Sequence, residues 1–210
     1  MKKFFVVAAS ALTLALMFAT DSYAQVIGKD IKTKNEISVS YGALSNSDWI
    51  EAFGEVVTVM FGGKTKQSSA VGPISAEYFY RVSPVVAVGA VGVAASFKED
   101  MLGEVPGSGE AEVKTGDYTR SYFTLMPAAK FNWLRKEHFG MYSKVAAGVS
   151  FVNTKLHQYV EGAAHEQDKN WMFNWQASLI GLEAGGQLRG FAEFGMGEQG
   201  AILVGIRYNF

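Results

Sequence analysis

The chain has 210 residues, of which 19 are basic and 20 acidic, so its formal net charge is −1 and gives no indication of nucleic-acid binding. There is no cysteine, which excludes disulfides, thiolate metal sites and cysteine nucleophiles. The 23 glycines, 13% aromatic residues and only 4 prolines fit a tightly curved β-sheet bordered by aromatic side chains.

The N-terminus has the three-part pattern of a secretory signal peptide. Lys2 and Lys3 precede an apolar run over 4–18, and Ser22-Tyr23-Ala24 offers the small residues of a cleavage site. The apolar run is shorter than the roughly 20 residues that a spanning helix needs. We therefore predict a signal peptide at 1–24 and a single mature domain at 25–210.

The spacing of apolar residues differs between the first predicted strand and the connection after it. Strand one is predicted at Glu36–Ala43, where serines alternate with Ile37, Val39 and Tyr41. The connection begins with Asp48-x-x-Glu51, typical of a helix start, and Gly62-Gly63 supplies a stop. Between them, apolar residues follow helical spacing at Trp49, Phe53, Val56, Val57 and Met60. We expect a short amphipathic helix here, and a strand over 56–61 is the other interpretation. If the chain forms a membrane barrel, such a helix would rest on the membrane or cap the barrel, or alternatively gate the barrel or bind a partner.

The rest of the chain alternates with period 2 and contains no apolar run long enough for a spanning helix. It predicts seven more strands: Ala70–Val82, Val85–Phe97, Tyr118–Trp133, Gly140–Asn153, Trp171–Ala184, Gly186–Met196 and Gly200–Phe210. Aromatic residues cluster near both ends of these strands, as expected at the two interfaces of a membrane.

The connections alternate between long and short. Long ones are predicted over 44–69, 98–117 and 154–170, and short ones at 83–84, 134–138 and near 185. Outer-membrane barrels sort their connections in this way, with short periplasmic turns and long outer loops. Because only helices and closed barrels satisfy their backbone groups in lipid, the sequence predicts an all-β fold, an eight-stranded antiparallel up-and-down transmembrane barrel.

One face of the predicted strands is apolar and the other carries charges of both signs. In a barrel the apolar face contacts lipid and the charged face lines the lumen, where buried charges must pair. The candidate lumen charge network is Glu36, Glu77, Arg81, Arg120, Lys130, Lys144, Arg189, Glu193 and Arg207.

The last seven residues resemble the signal by which outer-membrane barrels are recognised for insertion. Phe210 is the terminal aromatic, Tyr208 the aromatic two residues before it, and Gly205 the glycine five residues before it. With the strand over 77–81 and its Ser83-Pro84 turn, the mature chain resembles the small bacterial outer-membrane β-barrel domain family of OmpA/OmpX type. The resemblance implies location in the outer membrane of a Gram-negative cell. It also implies contact with outer-membrane lipid and lipopolysaccharide, and with the barrel-assembly machinery during insertion. It carries no catalytic residues.

Two side-chain groups invite chemical interpretations. His157 and His165 share a predicted loop with Glu161, Glu166 and Asp168, a set that could bind metal but that ordinary polar loop composition also explains. A lipid-modifying enzyme would need a serine, a histidine and an acid together, and only Ser150 near His157 suggests one. We predict no metal, no cofactor and no enzymatic activity.

Three functions remain after these arguments. The first is a structural or interaction barrel whose lumen is filled by side chains and whose long loops contact envelope or host surfaces. The second is a narrow, porin-like conduit for small or hydrophobic molecules, gated by the helix of the first loop. The third is the lipid-modifying enzyme.

Overall fold

A computed structural model describes residues 33–48, 64–103, 113–158 and 166–210, with side chains described over 33–48, 71–101, 116–157 and 168–210. Eight strands follow one another along the chain. They are β1 (Asn35–Ala43), β2 (Lys64–Arg81), β3 (Val86–Gly103), β4 (Val113–Arg135), β5 (Phe139–Gln158), β6 (Glu166–Gly185), β7 (Leu188–Gly197) and β8 (Ile202–Asn209).

Each strand pairs antiparallel with its sequence neighbours, and β1 pairs with β8 to close the barrel. The closing ladder runs from Glu36 opposite Asn209 to Ala43 opposite Ile202. The predicted eight-stranded antiparallel up-and-down barrel is confirmed. The described residues contain no helix with the length and apolarity needed to cross a bilayer.

The strands are longer than predicted at one end of the barrel. β4 begins at Val113 rather than at Tyr118, and β6 begins at Glu166 rather than at Trp171. The alternation of apolar and polar residues does not reveal these strand ends because polar residues follow one another there, as in Lys64–Gln67 of β2. The short turns at the other end, over 82–85, 136–138 and 186–187, agree with the predicted parity of the connections.

The short helix of the first loop is described only over 46–48. Ser45 caps it: the Asp48 amide donates to Ser45 Oγ, and the Ser45 amide donates to the Asp48 carboxylate. This reciprocal pair places the N-cap three residues earlier than the predicted Asp48. Trp49, Phe53, Val56, Val57 and Met60 lie outside the described residues, as does the predicted signal peptide at 1–24.

The barrel is apolar outside and polar inside. Outward residues of β8 such as Ile206 are 60% exposed, whereas the inward Arg207 is 0% exposed. One inner wall is apolar and is formed mainly by β2, β3 and β4, through Phe79, Val91, Val93 and Met126. Charged and amide side chains fill the rest of the interior and come from every strand except β3.

Candidate functional site

The charged side chains inside the barrel form one connected cluster, which we call the lumen network. Its members are Glu36 of β1, Glu77 and Arg81 of β2, Lys130 of β4, Lys144 of β5, Glu183 of β6, Arg189 and Glu193 of β7, and Arg207 of β8. Side chains alternate across a strand, so inward positions from seven strands converge on the axis of the barrel. Each charge is thereby removed from water and balanced by a neighbour on another strand.

Arg207 lies at the centre of this network. Its Nη1 donates to Glu183 Oε2 at 2.5 Å, and its Nη2 donates to the Tyr142 hydroxyl at 3.1 Å and to Glu77 Oε2 at 3.4 Å. Glu36 and Glu193 lie 3.8 Å from the same guanidinium. Burying an arginine without such partners would cost several kcal/mol, so this arrangement determines which side chains can surround it.

Two lysines link pairs of carboxylates on either side of Arg207. Lys130 Nζ contacts Glu36 at 2.7 Å and Glu183 at 3.3 Å. Lys144 Nζ contacts Glu77 at 2.5 Å and Glu193 at 2.8 Å. Both lysines are 0% exposed, so solvent ions screen their ion pairs only weakly. Each lysine also cross-links strands that are not neighbours in the sheet.

Tyr142 is the aromatic centre of the network and was not predicted. Lys130 Nζ lies 4.1 Å from its ring centroid and the Arg207 guanidinium 4.8 Å, while its hydroxyl donates to Glu193 at 2.7 Å. Its ring lies against Gly181 on β6, where a Cβ would approach the ring to 2.4 Å. Glycine at 181 therefore makes the space in which the ring meets two cations.

Glu183 was also missed, because the period of β6 changes. Leu179 and Ile180 are both exposed, and the pairing with β5 and β7 shifts register beside them. This β-bulge turns the following residues over, so that Glu183 points inward although simple alternation from Asn174 and Ser178 would point it outward. Two adjacent large apolar residues followed by glycine were the signal in the sequence.

The other predicted site residues lie in three places. Arg120 lies above the network towards the long-loop end, where its guanidinium lies 4.9 Å from the centroid of the Tyr118 ring. Tyr208 and Phe210 project outward from β8 with stacked rings 5.8 Å apart. Gly205 lies on β8 opposite Ser40, and a Cβ there would meet Phe191 at 2.8 Å.

A second polar layer closes the long-loop end of the lumen and is formed around the β7–β8 turn. Gln199 turns inward and donates from Nε2 to Glu77 at 2.7 Å, and its amide donates to Gln176 Oε1 at 2.8 Å. Gly197 and Gly200 have φ values of +134° and +110°, which allow the turn to fold inward. The turn thus lies across the lumen as a plug.

Glu198 occupies the same turn and has only neutral donors around it. Ser47 Oγ and Asn174 Nδ2 each donate to its carboxylate at 2.7 Å, and Thr124 Oγ1 donates at 3.2 Å. Among the described residues no lysine or arginine forms an ion pair with it. Burial without a cation raises the pKa of Glu198, although these hydrogen bonds partly oppose the increase.

The structure does not assemble the enzymatic or metal-binding alternatives. Ser150 is buried in the lumen and bonded to Thr124 and Asn174, whereas His157 is exposed seven residues along the same strand. Seven residues of β-strand separate them by about 23 Å and place them on opposite faces. His165 lies outside the described residues, and within the described part no group of three potential metal ligands occurs.

The outer surface has an open groove across β4, β5 and β6. Phe123, Phe151 and Trp171 are register partners and form its apolar side, each more than half exposed. The next row towards the long-loop end is Ser121, Asn153 and Lys169, which makes the opposite side polar. The groove has a volume of about 590 Å³ and lies where the apolar belt gives way to polar residues.

No protein-family model matches the chain, and no curated protein matches it. Among solved structures, it is similar to Ail, the attachment invasion locus protein of Yersinia pestis, at 14% identity and a TM-score of 0.42. The similarity covers 85% of this chain and 99% of Ail. Ail in complex with the heparin analogue sucrose octasulfate gives the same values. The assignment of a closed eight-stranded antiparallel barrel rests on the strand pairing described above.

Proposed function

We propose that this protein is a structural or interaction barrel of the bacterial outer membrane with a closed lumen. The filled interior is the observation that carries the proposal. Arg207, Lys130, Lys144, Tyr142 and Gln199 are all 0% exposed, and they fill the lumen between the short-turn end of the barrel and the β7–β8 turn. A conduit would need a continuous water-filled path along the axis, and these side chains fill the space that such a path would take.

The outer belt supports insertion in a membrane. Among the described side chains, large apolar ones are exposed on seven of the eight strands, all but β3, and include Ile37, Leu125 and Val204, each at least 50% exposed. A water-soluble protein rarely exposes contiguous apolar surface of this extent. In this orientation the short turns, the start of β1 and the end of β8 face the periplasm, and the long connections face outward.

Five strands extend beyond the rest at the outer end, and this extension supports an interaction role. β1 pairs with β2 only as far as Ile74, and β7 pairs with β6 only as far as Gln176. The preceding ten residues of each longer strand, Lys64–Pro73 and Glu166–Trp175, have no ladder to β1 or β7. Ten residues span about 30 Å along a strand. We propose that this sheet extension, with its connections, contacts envelope or host-surface partners.

We propose two further partners, each from a different part of the outer surface. The groove beside Lys169 combines an aromatic row with a cation at the outer boundary of the belt, which suits an acylated, phosphorylated glycolipid such as lipopolysaccharide. Gly205, Tyr208 and Phe210 at the last strand remain the proposed signal for the barrel-assembly machinery. The separation of Ser150 from His157 supports a non-enzymatic role.

Conductance across a planar bilayer tests the closed lumen. We expect the purified protein to give no steady single-channel current, because moving ions through the lumen would require breaking buried ion pairs. An established porin inserted under the same conditions is the control for detection. Steady currents from the wild-type protein would contradict the proposal, and their loss on deleting residues 49–61 would assign them to a loop-gated conduit.

A further inference from the structure

The lower part of the lumen, towards the short turns, carries more buried positive than negative charge. The basic groups are Arg81, Lys130, Arg135, Lys144, Arg189 and Arg207, and the carboxylates around them are Glu36, Glu77, Glu183 and Glu193. Every one of these four carboxylates already contacts at least two cations. Among the described residues, six cations against four anions leave two positive charges without a partner of their own.

Arg135, the last residue of β4, is the buried cation that forms no ion pair with the carboxylates of the lumen network. It is 6% exposed, yet its guanidinium makes one long hydrogen bond, from Nη2 to Thr33 Oγ1 at 3.4 Å, and its Nε has no acceptor. No carboxylate in the described part of the chain forms an ion pair with it. A buried guanidinium with so few acceptors is costly, so an additional acceptor would stabilise it.

A second guanidinium meets Arg135 at Thr33. Arg81 donates to the Thr33 carbonyl and to Glu36, while its Nε is also buried without an acceptor. Thr33 in turn lines an open cavity of about 290 Å³ at this rim, together with Arg189 and Asn209. Glu137 and His138 also line this cavity, which brings water next to Thr33, the residue that both guanidiniums contact.

We propose that Arg135, Arg81 and Thr33 form a binding site for a phosphate group at the short-turn mouth of the barrel. The Arg135 guanidinium presents N–H donors in a planar fork that matches the oxygens of a phosphate, and Arg81 Nε and the Thr33 hydroxyl are further donors. The bound dianion or monoanion balances the excess positive charge of the lower lumen. The phosphate belongs either to a free ion or to the headgroup of a phospholipid, and both would approach from the periplasmic side of the proposed orientation.

Thermal unfolding in a sugar-based detergent, followed by band shift on gels, tests the site. Inorganic phosphate is titrated at constant ionic strength against chloride, using protein purified from membranes. We expect phosphate to raise the midpoint temperature of the wild-type protein, because a ligand that binds only the folded state stabilises it. Arg135→Gln should weaken the apparent affinity at least tenfold, whereas Lys136→Gln, at the exposed neighbouring cation, should respond like wild type.

Further measurements separate the source of the phosphate from failure of the site. Stabilisation by phosphatidylglycerol in mixed micelles, but not by inorganic phosphate, assigns the site to a headgroup; the reverse assigns it to the free ion. Arg135→Lys keeps the charge without the fork and should respond more weakly than wild type if Arg135→Gln does not fold. A wild-type protein that responds to neither probe, or an Arg135→Lys variant that responds as strongly as wild type, overturns the proposal without affecting the closed lumen.

Discussion

The carboxylate of Glu183 contacts three cations inside the barrel. It accepts from Arg207 at 2.5 Å and from Arg189 at 2.9 Å, and it also contacts Lys130 at 3.3 Å. For Arg189 it is the only carboxylate partner within the described residues. The ion pairs need not make the barrel more stable than an apolar core would, but removing one member leaves charges buried and unpaired.

Glu183→Gln should therefore lower the free energy of unfolding by about 3 kcal/mol, the range measured when a buried pair loses one partner. Urea titration in lipid vesicles, with folded and unfolded bands separated on a gel, measures the change. Glu137→Gln in the exposed β4–β5 turn is the matched control and should change the value by less than about 0.5 kcal/mol. Equal stabilities for the two variants would show that the lumen network does not hold the fold.

Glu198 shows the opposite case, a buried carboxylate without a cation. Because burial raises the pKa of Glu198 in the folded protein, the folded state holds this proton more tightly than the unfolded state does. Its contribution to stability is therefore greatest at low pH and is lost as pH rises through the folded pKa.

Replacing Glu198 with glutamine should remove that dependence. The free energy of unfolding of Glu198→Gln should increase relative to that of the wild-type protein as the pH rises from 4 to 8, because only the wild-type protein loses the contribution of the buried proton. Parallel urea titrations at the two pH values measure it, with Glu137→Gln again as the reference for general effects of charge. A difference between Glu198→Gln and wild type that stays constant across this range would contradict the buried, cation-free environment.

At the scale of elements, alternation predicted strand order, strand faces and the parity of the connections. It located eight of the nine members of the lumen network because most inward positions follow period 2 without interruption. It failed in β6, where the extra residue at Leu179–Ile180 reverses the faces and brings Glu183 inward. It also underestimated β2 to β6 at their outer ends, where consecutive polar residues such as those of 64–69 and 166–170 remove the apolar half of the pattern.

The contacts within the lumen could not be predicted in the same way. Tyr142 interacts with cations from β4 and β8, which lie on opposite sides of β5 to β7 in the closed sheet. Such contacts depend on barrel closure and on the missing side chain at Gly181, neither of which is visible in a local window of sequence. The β7–β8 turn is similar, since its glycines indicate a turn but not that Gln199 reaches Glu77.

At the scale of the whole molecule, the distribution of polarity is the inverse of that in a water-soluble domain. Exposed side chains of β1, β7 and β8 are apolar at nearly every outward position, while the buried residues include eight arginine, lysine and glutamate side chains of the lumen network. Closure of β1 on β8 leaves the lower barrel without a free sheet edge, as hydrocarbon requires of a spanning sheet. The central claim is that this fold needs a bilayer or a micelle around it.

Refolding of residues 25–210 from urea, with and without lipid vesicles, tests this claim most directly. Far-ultraviolet circular dichroism reports strand content, and the shift in gel mobility between unheated and boiled samples reports the closed barrel. We predict β-structure and a heat-dependent band shift only in the presence of vesicles or detergent. A monomer that folds fully in plain buffer, with no band shift on adding lipid, would contradict the account.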